Sequence, residues 1–359
     1  MKITLKRTDE QVELVKAMAS RDRNVAYEAQ QALAAFIGPV LAEVMDNAPT
    51  ISNLFTPFTF AADDNPSIPL DLYHDVTDTD YIKVYSSNAP GGLPSNHVTP
   101  THSELKLATY RLESAIDFEK RYAARSRLDV VSKSLTRLAQ EVLIQQENTS
   151  VSLLLGTISD NLTKLKMDSA QSGRLLLHDF NAMLTRMKRN NPSWSGGTPE
   201  RSRGMTDIIV SPEIVQSLRE MAYNPVNTRN AAGSTPPNAA DNVLPATDSM
   251  REAIYNNAGI PEFYGVSIME VYELGNTQKY NEVAKALGIV SGTEDCVIGL
   301  DRSRESLLRA VAIDAESGTS MSVQADDQYV ARQKKIGYYA ELEEGRTVIN
   351  DSALLAMAV

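Results

Sequence analysis

The chain has 359 residues, of which 42% are apolar, 23% are charged and 6% are aromatic. This is ordinary globular composition, and it excludes collagen-like, low-complexity and wholly disordered chains. The formal net charge of −11 argues against tight non-specific nucleic-acid binding, which requires clustered lysine and arginine. The single cysteine, Cys296, excludes a disulfide framework within one chain, CxxC redox sites and zinc ribbons.

The length allows two or three subdomains and a large core. The longest apolar run, residues 32–42, is about half of what a bilayer span requires, and it contains Gly38-Pro39. The first thirty residues carry acidic side chains among the apolar ones, so no signal-peptide core is expected. We expect a chain that lies in a reducing, cytosolic compartment without a membrane segment.

A long helix is predicted at the start of the chain. Thr8 and Gln11 fit a capping box, and the apolar residues that follow recur about every 3.5 positions, interrupted at Asp22. Gly38-Pro39 predicts a break or kink, after which a short amphipathic piece continues to about Met45. This helix cannot bury its apolar stripe alone, so it must dock on its own chain or on a partner.

Residues 47–104 are punctuated by prolines and predict an extended hairpin that reaches outward, with strands at Tyr81–Tyr85 and Glu104–Leu107. Residues 50–104 contain seven carboxylates and one lysine, Lys83, which gives a net charge of −6. Apolar residues then recur every three or four positions between about 117 and 155, with no proline or glycine. This pattern predicts one helix of about 35 residues, roughly 50 Å long, which we call the spine helix. Its first part is basic: residues 120–137 carry a net charge of +5.

The second half of the chain reads as an α/β subdomain. A helix is predicted at 174–188, followed by a loop at 191–197 and a buried strand ending at Val210. Ser211-Pro212 supplies an N-cap and a first-turn proline for the next helix. Further predictions are a loop at 223–247, helices at 250–256 and 277–287, and strands at 265–274, 295–300 and 307–313. The tail from Met321 alternates, turns at Glu344-Gly345 and ends in a short apolar helix at 352–358.

No catalytic constellation is evident. There is no phosphate-binding glycine loop and no nucleophile elbow. His97 and His102 lie in an extended segment, where the spacing between them does not suit a metal site. His178 and Cys296 are interpreted as packing residues. The carboxylate pairs at 326–327 and 343–344 are expected on a solvated face. The sequence therefore predicts no enzyme activity, no cofactor and no metal.

The order of elements resembles that of the major capsid proteins of tailed bacteriophages, whose fold is shared by encapsulin nanocompartments and the floor of herpesvirus shells. Residues 128–141 are similar to the family's spine helix, and 208–214 to the strand-to-helix entry of its axial domain. Residues 265–271 resemble a later axial strand, and 329–345 the closing peripheral segment. The resemblance implies an α+β fold with an N-terminal arm (1–48), an extended loop (49–110), a peripheral domain (111–204 and 321–359) and an axial domain (205–320).

The same resemblance implies a structural protein that self-assembles into the hexamers and pentamers of an icosahedral shell around double-stranded DNA. It implies a virion capsid assembled in the host cytoplasm, with separate scaffolding, portal and decoration proteins as possible partners. Some members join subunits by Lys–Asn links, for which Lys83 would be the loop's lysine. The charge runs mark candidate contacts between subunits: Asp75, Asp78, Asp80 and Lys83 in the loop, and Lys120, Arg121, Arg125, Arg127, Lys133 and Arg137 along the spine. Two alternatives stay open, an encapsulin-like compartment and a cytosolic α/β enzyme or binding protein.

Overall fold

The computed structural model of the chain describes residues 8–61, 64–69, 104–125, 127–171, 173–190, 204–223, 262–304, 306–314, 318–326 and 334–359. They fall into two units, each with its own sheet. Of the described residues, the first unit takes those up to 68, within 106–150 and within 308–347, and the second takes 69, 104–105 and those within 151–307 and 348–359. The predicted α+β class is confirmed, whereas the four predicted domain boundaries remain predictions.

Two helices open the chain, α1 (Asp9–Met18) and α2 (Arg23–Asp46). The Thr8 hydroxyl accepts from the Gln11 backbone N–H at 3.4 Å, while Gln11 Oε1 has no hydrogen-bond partner within the described residues, so half of the predicted capping box forms. Asp22 caps α2, its Oδ1 accepting from the Asn24 N–H at 3.0 Å. The chain therefore breaks at residues 19–22.

Of the break or kink predicted at Gly38-Pro39, the break is wrong, because α2 continues through Pro39. An interior proline costs a helix about 3 kcal/mol, and burial of Ile37, Leu41 and Met45 on the same helix offsets that cost. Gly38 serves packing instead: a Cβ there would lie 3.4 Å from the carbonyl oxygen of Met321.

The first unit's sheet contains five strands, in the order β1 (Thr56–Ala61), β10 (Leu307–Ile313), β12 (Lys335–Val348) and β11 (Ser322–Asp326), with β4 (Tyr110–Glu119) also paired to β12. β1 runs parallel to β10, and β4 and β11 run antiparallel to β12. Helices α1 and α2 bury their apolar residues in one core with the sheet and the spine helix. The N-terminal helices therefore dock on their own chain.

The first part of the predicted outward hairpin is buried instead. Ile51, Leu54 and Phe55 are at most 6% exposed, and β1 completes an edge of the sheet. Strands β2 (Ser67–Pro69) and β3 (Glu104–Lys106) form a separate two-stranded sheet, and the Leu107 N–H donates to the Pro66 carbonyl at 3.0 Å. The predicted strand at Tyr81–Tyr85 lies outside the described residues.

The spine helix is confirmed as α4 (Leu128–Asp160), 33 residues long. Its predicted start near Asp117 is wrong, because residues 110–119 pair with β12 along ten positions and form β4. A short helix, α3 (Lys120–Ala124), follows that strand. The predicted stripe is buried: Val131, Leu135, Leu138 and Val142 are at most 7% exposed.

The second unit's six-stranded sheet has the order β5 (Lys166–Asp168), β13 (Leu354–Ala358), β9 (Cys296–Leu300), β6 (Asp207–Val210), β8 (Val266–Glu270) and β7 (Glu262–Phe263). Its helices are α5 (Leu162–Leu165), α6 (Leu177–Asn190), α7 (Pro212–Tyr223) and α8 (Lys279–Ala286). Strand β6 followed directly by α7 confirms the predicted strand-to-helix unit, and the Ser211 hydroxyl accepts from the Ile214 N–H at 3.3 Å.

Two predictions about the tail are wrong. Residues 354–358 form the strand β13, fully buried between β5 and β9, and not a helix. The predicted turn at Glu344-Gly345 lies inside β12. Glycine is required there because a Cβ would lie 2.5 Å from the Ala108 carbonyl oxygen. In the described part of the chain, none of the helices has the length and apolarity needed to cross a membrane.

Candidate functional site

The histidines and the cysteine were considered as catalytic or metal-binding residues. In the described part of the chain they do not assemble into a catalytic site. His178 is exposed on α6 and lines a shallow depression with Asn181, Thr185 and Arg186. No group of three or more His, Cys, Asp or Glu that could hold a metal occurs among the described residues. His97 and His102 lie outside them.

Cys296 is buried at the start of β9. Burial, together with the neighbouring Asp295 carboxylate, raises the pKa of its thiol to about 12. At neutral pH the thiol is therefore protonated and shielded from reagents, as a packing residue would be.

The α7 N-terminus in the second unit is tied to Asp295, the residue that precedes β9. The Ser211 hydroxyl that caps α7 donates to Asp295 Oδ2 at 3.1 Å. Burial raises the pKa of the Asp295 carboxyl, and the hydrogen bond from Ser211 partly offsets that rise. The Asp295 carboxyl group thus lies beside the start of α7, and burial disfavours its ionised form.

A buried ionic cluster lies in the first unit, in contrast to the solvated face predicted for residues 343–344. Glu344 on β12 is 0% exposed. Its Oε2 atom accepts from Arg309 Nε on β10 at 3.1 Å, and Oε1 pairs with Arg346 on β12. Both arginine side chains are also buried, at 6% and 1% exposure. We call Glu344, Arg309 and Arg346 the buried ion cluster.

Three further elements donate to or accept from this cluster. From α4, Gln146 Nε2 donates to Glu344 Oε2 at 2.9 Å, and from β4 the Tyr110 hydroxyl donates to Glu344 Oε1 at 2.8 Å. Arg346 donates to the Ser52 hydroxyl at 2.7 Å. Burial, followed by the Glu344 charge, raises the pKa of Tyr110 to about 12. The cluster thus joins the spine helix, three strands and the segment before β1.

Sequence reasoning missed this cluster. Arg309 interrupts the apolar strand Leu307–Ile313, and an arginine in such a strand is a detectable signal, because a buried charge needs a partner. The partner of Arg309 could not be identified from the sequence, since Glu344 lies 35 positions away. Glu344 also follows Glu343, and such a pair of carboxylates is typical of a solvated face.

The structure distributes the predicted basic contact residues over three elements. Lys120 and Arg121 belong to α3, Arg125 and Arg127 flank the connection to α4, and Lys133 and Arg137 lie exposed on α4. Lys120 Nζ donates to the Ser20 carbonyl at 2.7 Å, and Arg121 pairs with Glu119. Arg127 lies 3.9 Å from Asp129. The basic run is therefore divided: Lys133 and Arg137 lie on the spine helix, and the other four residues precede it.

The predicted acidic partners Asp75, Asp78 and Asp80 lie outside the described residues, and so does Lys83, the loop lysine that a Lys–Asn link would use. Their pairing with the basic residues stays a prediction.

Comparison with known proteins finds similarity to solved structures of a capsid, a phage and an encapsulin complex. No protein-family model matches the sequence, and no curated protein matches it. The capsid of a native GTA particle is 11% identical, with a TM-score of 0.49, over 86% of this chain and 89% of that chain. The corresponding values for Microbacterium phage Oxtober96 are 11%, 0.49, 86% and 90%. For the holo-SrpI encapsulin complex from Synechococcus elongatus PCC 7942 they are 13%, 0.43, 86% and 86%.

Proposed function

We propose that the chain is a structural shell protein that assembles with copies of itself into a closed particle. In its specific form, the proposal is a major capsid protein of a tailed bacteriophage, forming hexamers and pentamers of an icosahedral shell around double-stranded DNA. The chain would then belong to the virion capsid and assemble in the host cytoplasm, with separate scaffolding, portal and decoration proteins as partners.

The observation that carries the proposal is the spine helix α4. It is 33 residues long, about 50 Å at 1.5 Å per residue, and it supplies residues to both units. Helices in globular domains average about a third of that length. The helical N-terminal segment, the spine and the α/β unit follow one another in the order that the capsid resemblance implies.

The chemistry of the described residues supports a structural role. The buried ion cluster uses its charges to join elements within one unit, and each of its three charged side chains is withdrawn from solvent. A shell protein also benefits from an acidic chain, because a genome held by a high-affinity lining would not be released.

Contacts between copies are proposed from the two charge runs. The acidic loop residues Asp75, Asp78 and Asp80 would dock on a neighbouring copy near Lys120, Arg121, Arg125, Arg127, Lys133 and Arg137. Individual exposed ion pairs contribute only about 0–1 kcal/mol, so such charges set the register and the encounter rate more than the affinity.

Electron microscopy of the purified full chain by negative stain tests the proposal. Closed particles of uniform size are expected, and DNA inside particles isolated from the native source supports the capsid form. Closed particles that hold an enzyme would favour the encapsulin-like alternative. A small soluble oligomer at every concentration and salt tested would exclude a shell protein and favour the α/β enzyme or binding protein.

A further inference from the structure

The outer face of the first unit's sheet carries more acidic than basic charge. Along β4, the side chains of Leu112, Ile116 and Phe118 pack into the core, so the alternate residues lie on the opposite face. Directly opposed residues share a face, and the register places Glu113 opposite Glu341 and Arg111 opposite Glu343. We call Glu113, Glu341 and Glu343 the glutamate cluster.

The glutamate cluster is not neutralised by its own neighbours. Arg111 Nε lies 3.5 Å from both Glu341 and Glu343, and among the described residues it is the one cation that pairs with the cluster. The Tyr339 hydroxyl donates to Glu113 and the Thr109 hydroxyl to Glu343 at 2.8 Å, but these neutral groups do not cancel the charge. Like charges placed directly opposite each other across two strands are destabilising. Glu113 opposite Glu341 therefore leaves a repulsion that a cation from outside the unit would relieve.

An arginine-rich corner lies at the other end of β4. Helix α3 packs on α1, and Lys120 Nζ donates to the Ser20 carbonyl at 2.7 Å, which brings the turn between α1 and α2 next to α3. Five arginines occupy this corner, and all five are exposed: Arg21, Arg23, Arg121, Arg125 and Arg127. Within two positions of these arginines in the sequence the acidic residues are Asp22, Glu119 and Asp129, so the arginines outnumber the adjacent carboxylates.

We propose that the arginine corner of one copy binds the glutamate cluster of a second copy. The two patches are separated along β4 by seven residues from Glu113 to Lys120, about 24 Å at about 3.4 Å per residue. That distance prevents them from neutralising each other within one copy. Guanidinium groups suit a contact with carboxylates, because two N–H groups of one planar guanidinium can donate parallel hydrogen bonds to the two oxygens of one carboxylate.

The pairing of copies explains both patches with one contact. A nucleic acid bound at the corner would satisfy the arginines, but it would leave the opposed glutamates as they are. The inference rests on the proposed assembly of copies, yet it requires only that copies associate and not that they close into a shell.

Two charge-reversed variants of the full chain test it. The first reverses the glutamate cluster with Glu113→Lys and Glu341→Lys, and the second reverses the corner with Arg21→Glu and Arg125→Glu. Alone, each variant presents two patches of the same sign, and we expect its self-association at about 0.05 M salt to fall at least about tenfold, as measured by light scattering and sedimentation. Mixed in equal amounts, the two variants present opposite patches to each other, and association should return to within about threefold of the unaltered chain.

A control mixture places the same charge changes elsewhere. Glu28→Lys with Glu141→Lys, mixed with Lys188→Glu and Arg189→Glu, changes exposed residues outside both patches. The inference is overturned if either test variant alone associates like the unaltered chain, if the test mixture shows no recovery, or if the control pair behaves like the test pair. Loss of DNA binding by the corner variant without recovery in the mixture assigns the corner to nucleic acid and also overturns it. Recovery without closed particles would retain the contact and exclude the shell.

Discussion

Glu344 shows how one residue can determine the arrangement of several elements. Its carboxylate accepts from Arg309, Arg346, Gln146 and Tyr110, which belong to four different segments of the chain. A buried ion pair of this kind adds little stability over a well-packed apolar core, but removing one partner leaves charges buried without compensation.

Glu344→Gln should therefore destabilise the first unit severely, because the buried Arg346 guanidinium loses its counter-charge and Arg309 keeps only the exposed Asp46, 3.7 Å away. We expect the free energy of unfolding in urea at pH 7 to fall by about 3 kcal/mol. Glu343→Gln is the matched control, because the Glu343 side chain is 23% exposed. The free energy of unfolding of this variant should fall by no more than about 1 kcal/mol. Equal losses in the two variants would contradict the role given to Glu344.

Cys296 should be unreactive in the folded protein. Its burial and its pKa of about 12 remove both access and the nucleophilic thiolate. A small maleimide at pH 8 should leave the native chain unlabelled over minutes and label it stoichiometrically in denaturant. Rapid labelling without denaturant would mean that β9 is not where the structure places it.

Asp295 should make the second unit more stable in acid. Its pKa is raised in the folded state by burial, so the folded chain binds this proton more tightly than the unfolded chain does. The resulting stability is present below the ordinary aspartate pKa of about 3.9 and is lost as the pH rises through the folded value. Subtracting the free energy of unfolding of Asp295→Asn from that of the unaltered chain at each pH removes the contributions of the other titrating groups.

The expected result is that the stability of the unaltered chain, relative to Asp295→Asn, falls as the pH rises above the ordinary aspartate pKa of about 3.9. Denaturant unfolding at several pH values measures this difference. A difference that is constant with pH, or one that grows as the pH rises, would show that the carboxyl is not penalised by burial.

At the scale of elements, local signals predicted structure well where they agreed with packing. The strand ending at Val210 and the Ser211-Pro212 helix start were both predicted, because the cap, the proline and the apolar run all indicate the same boundary. The spine helix was predicted from its stripe. The sequence signals that predict these elements lie within the elements themselves or directly beside them.

The wrong predictions are those in which distant partners decide. Residues 354–358 form a short apolar run that fits either a strand or a helix, and only pairing with β9 and β5 makes it a strand. Residues 117–119 look helical alone but pair with β12. The buried ion cluster was not predicted at all, because its three charged residues come from two strands that are brought together only by the fold.

Helix α2 has one face toward its own core and one face available for other contacts. Leu41 is 1% exposed and Phe36 is 52% exposed. Leu41→Ala should lower the free energy of unfolding by about 2–5 kcal/mol through the cavity it leaves. Phe36→Ala should leave the unfolding free energy within about 0.5 kcal/mol and, if this face contacts another copy, reduce assembly.

Urea unfolding and particle yield should be measured on both variants. This pair is more informative than deletion of the whole N-terminal segment, because α1 and α2 are part of the first unit's core. Deletion should cause aggregation of the first unit, and it would not report on contacts between copies. A large loss of stability in Phe36→Ala would show that the exposed face also supports the unit.

At the scale of the whole molecule, the charge is unevenly distributed, and two acidic regions compete as partners for the same arginines. The proposed loop partner carries Asp78 and Asp80, and the glutamate cluster on the sheet carries Glu113 and Glu341. Both partners predict that Arg125→Glu with Arg127→Glu weakens assembly at low salt, since exposed charges are screened less there. The second set of changes distinguishes them.

If the sheet is the partner, adding a chain with Glu113→Lys and Glu341→Lys to the arginine variant should restore assembly at about 0.05 M salt, and the effect should largely vanish at about 0.5 M. A chain with Asp78→Lys and Asp80→Lys should then restore nothing. The opposite outcome would assign the arginines to the loop, as the capsid resemblance implies. Because both rescuing chains carry the same number of added charges, a general effect of net charge would make them equally effective, and equal rescue would exclude a specific contact at either acidic region.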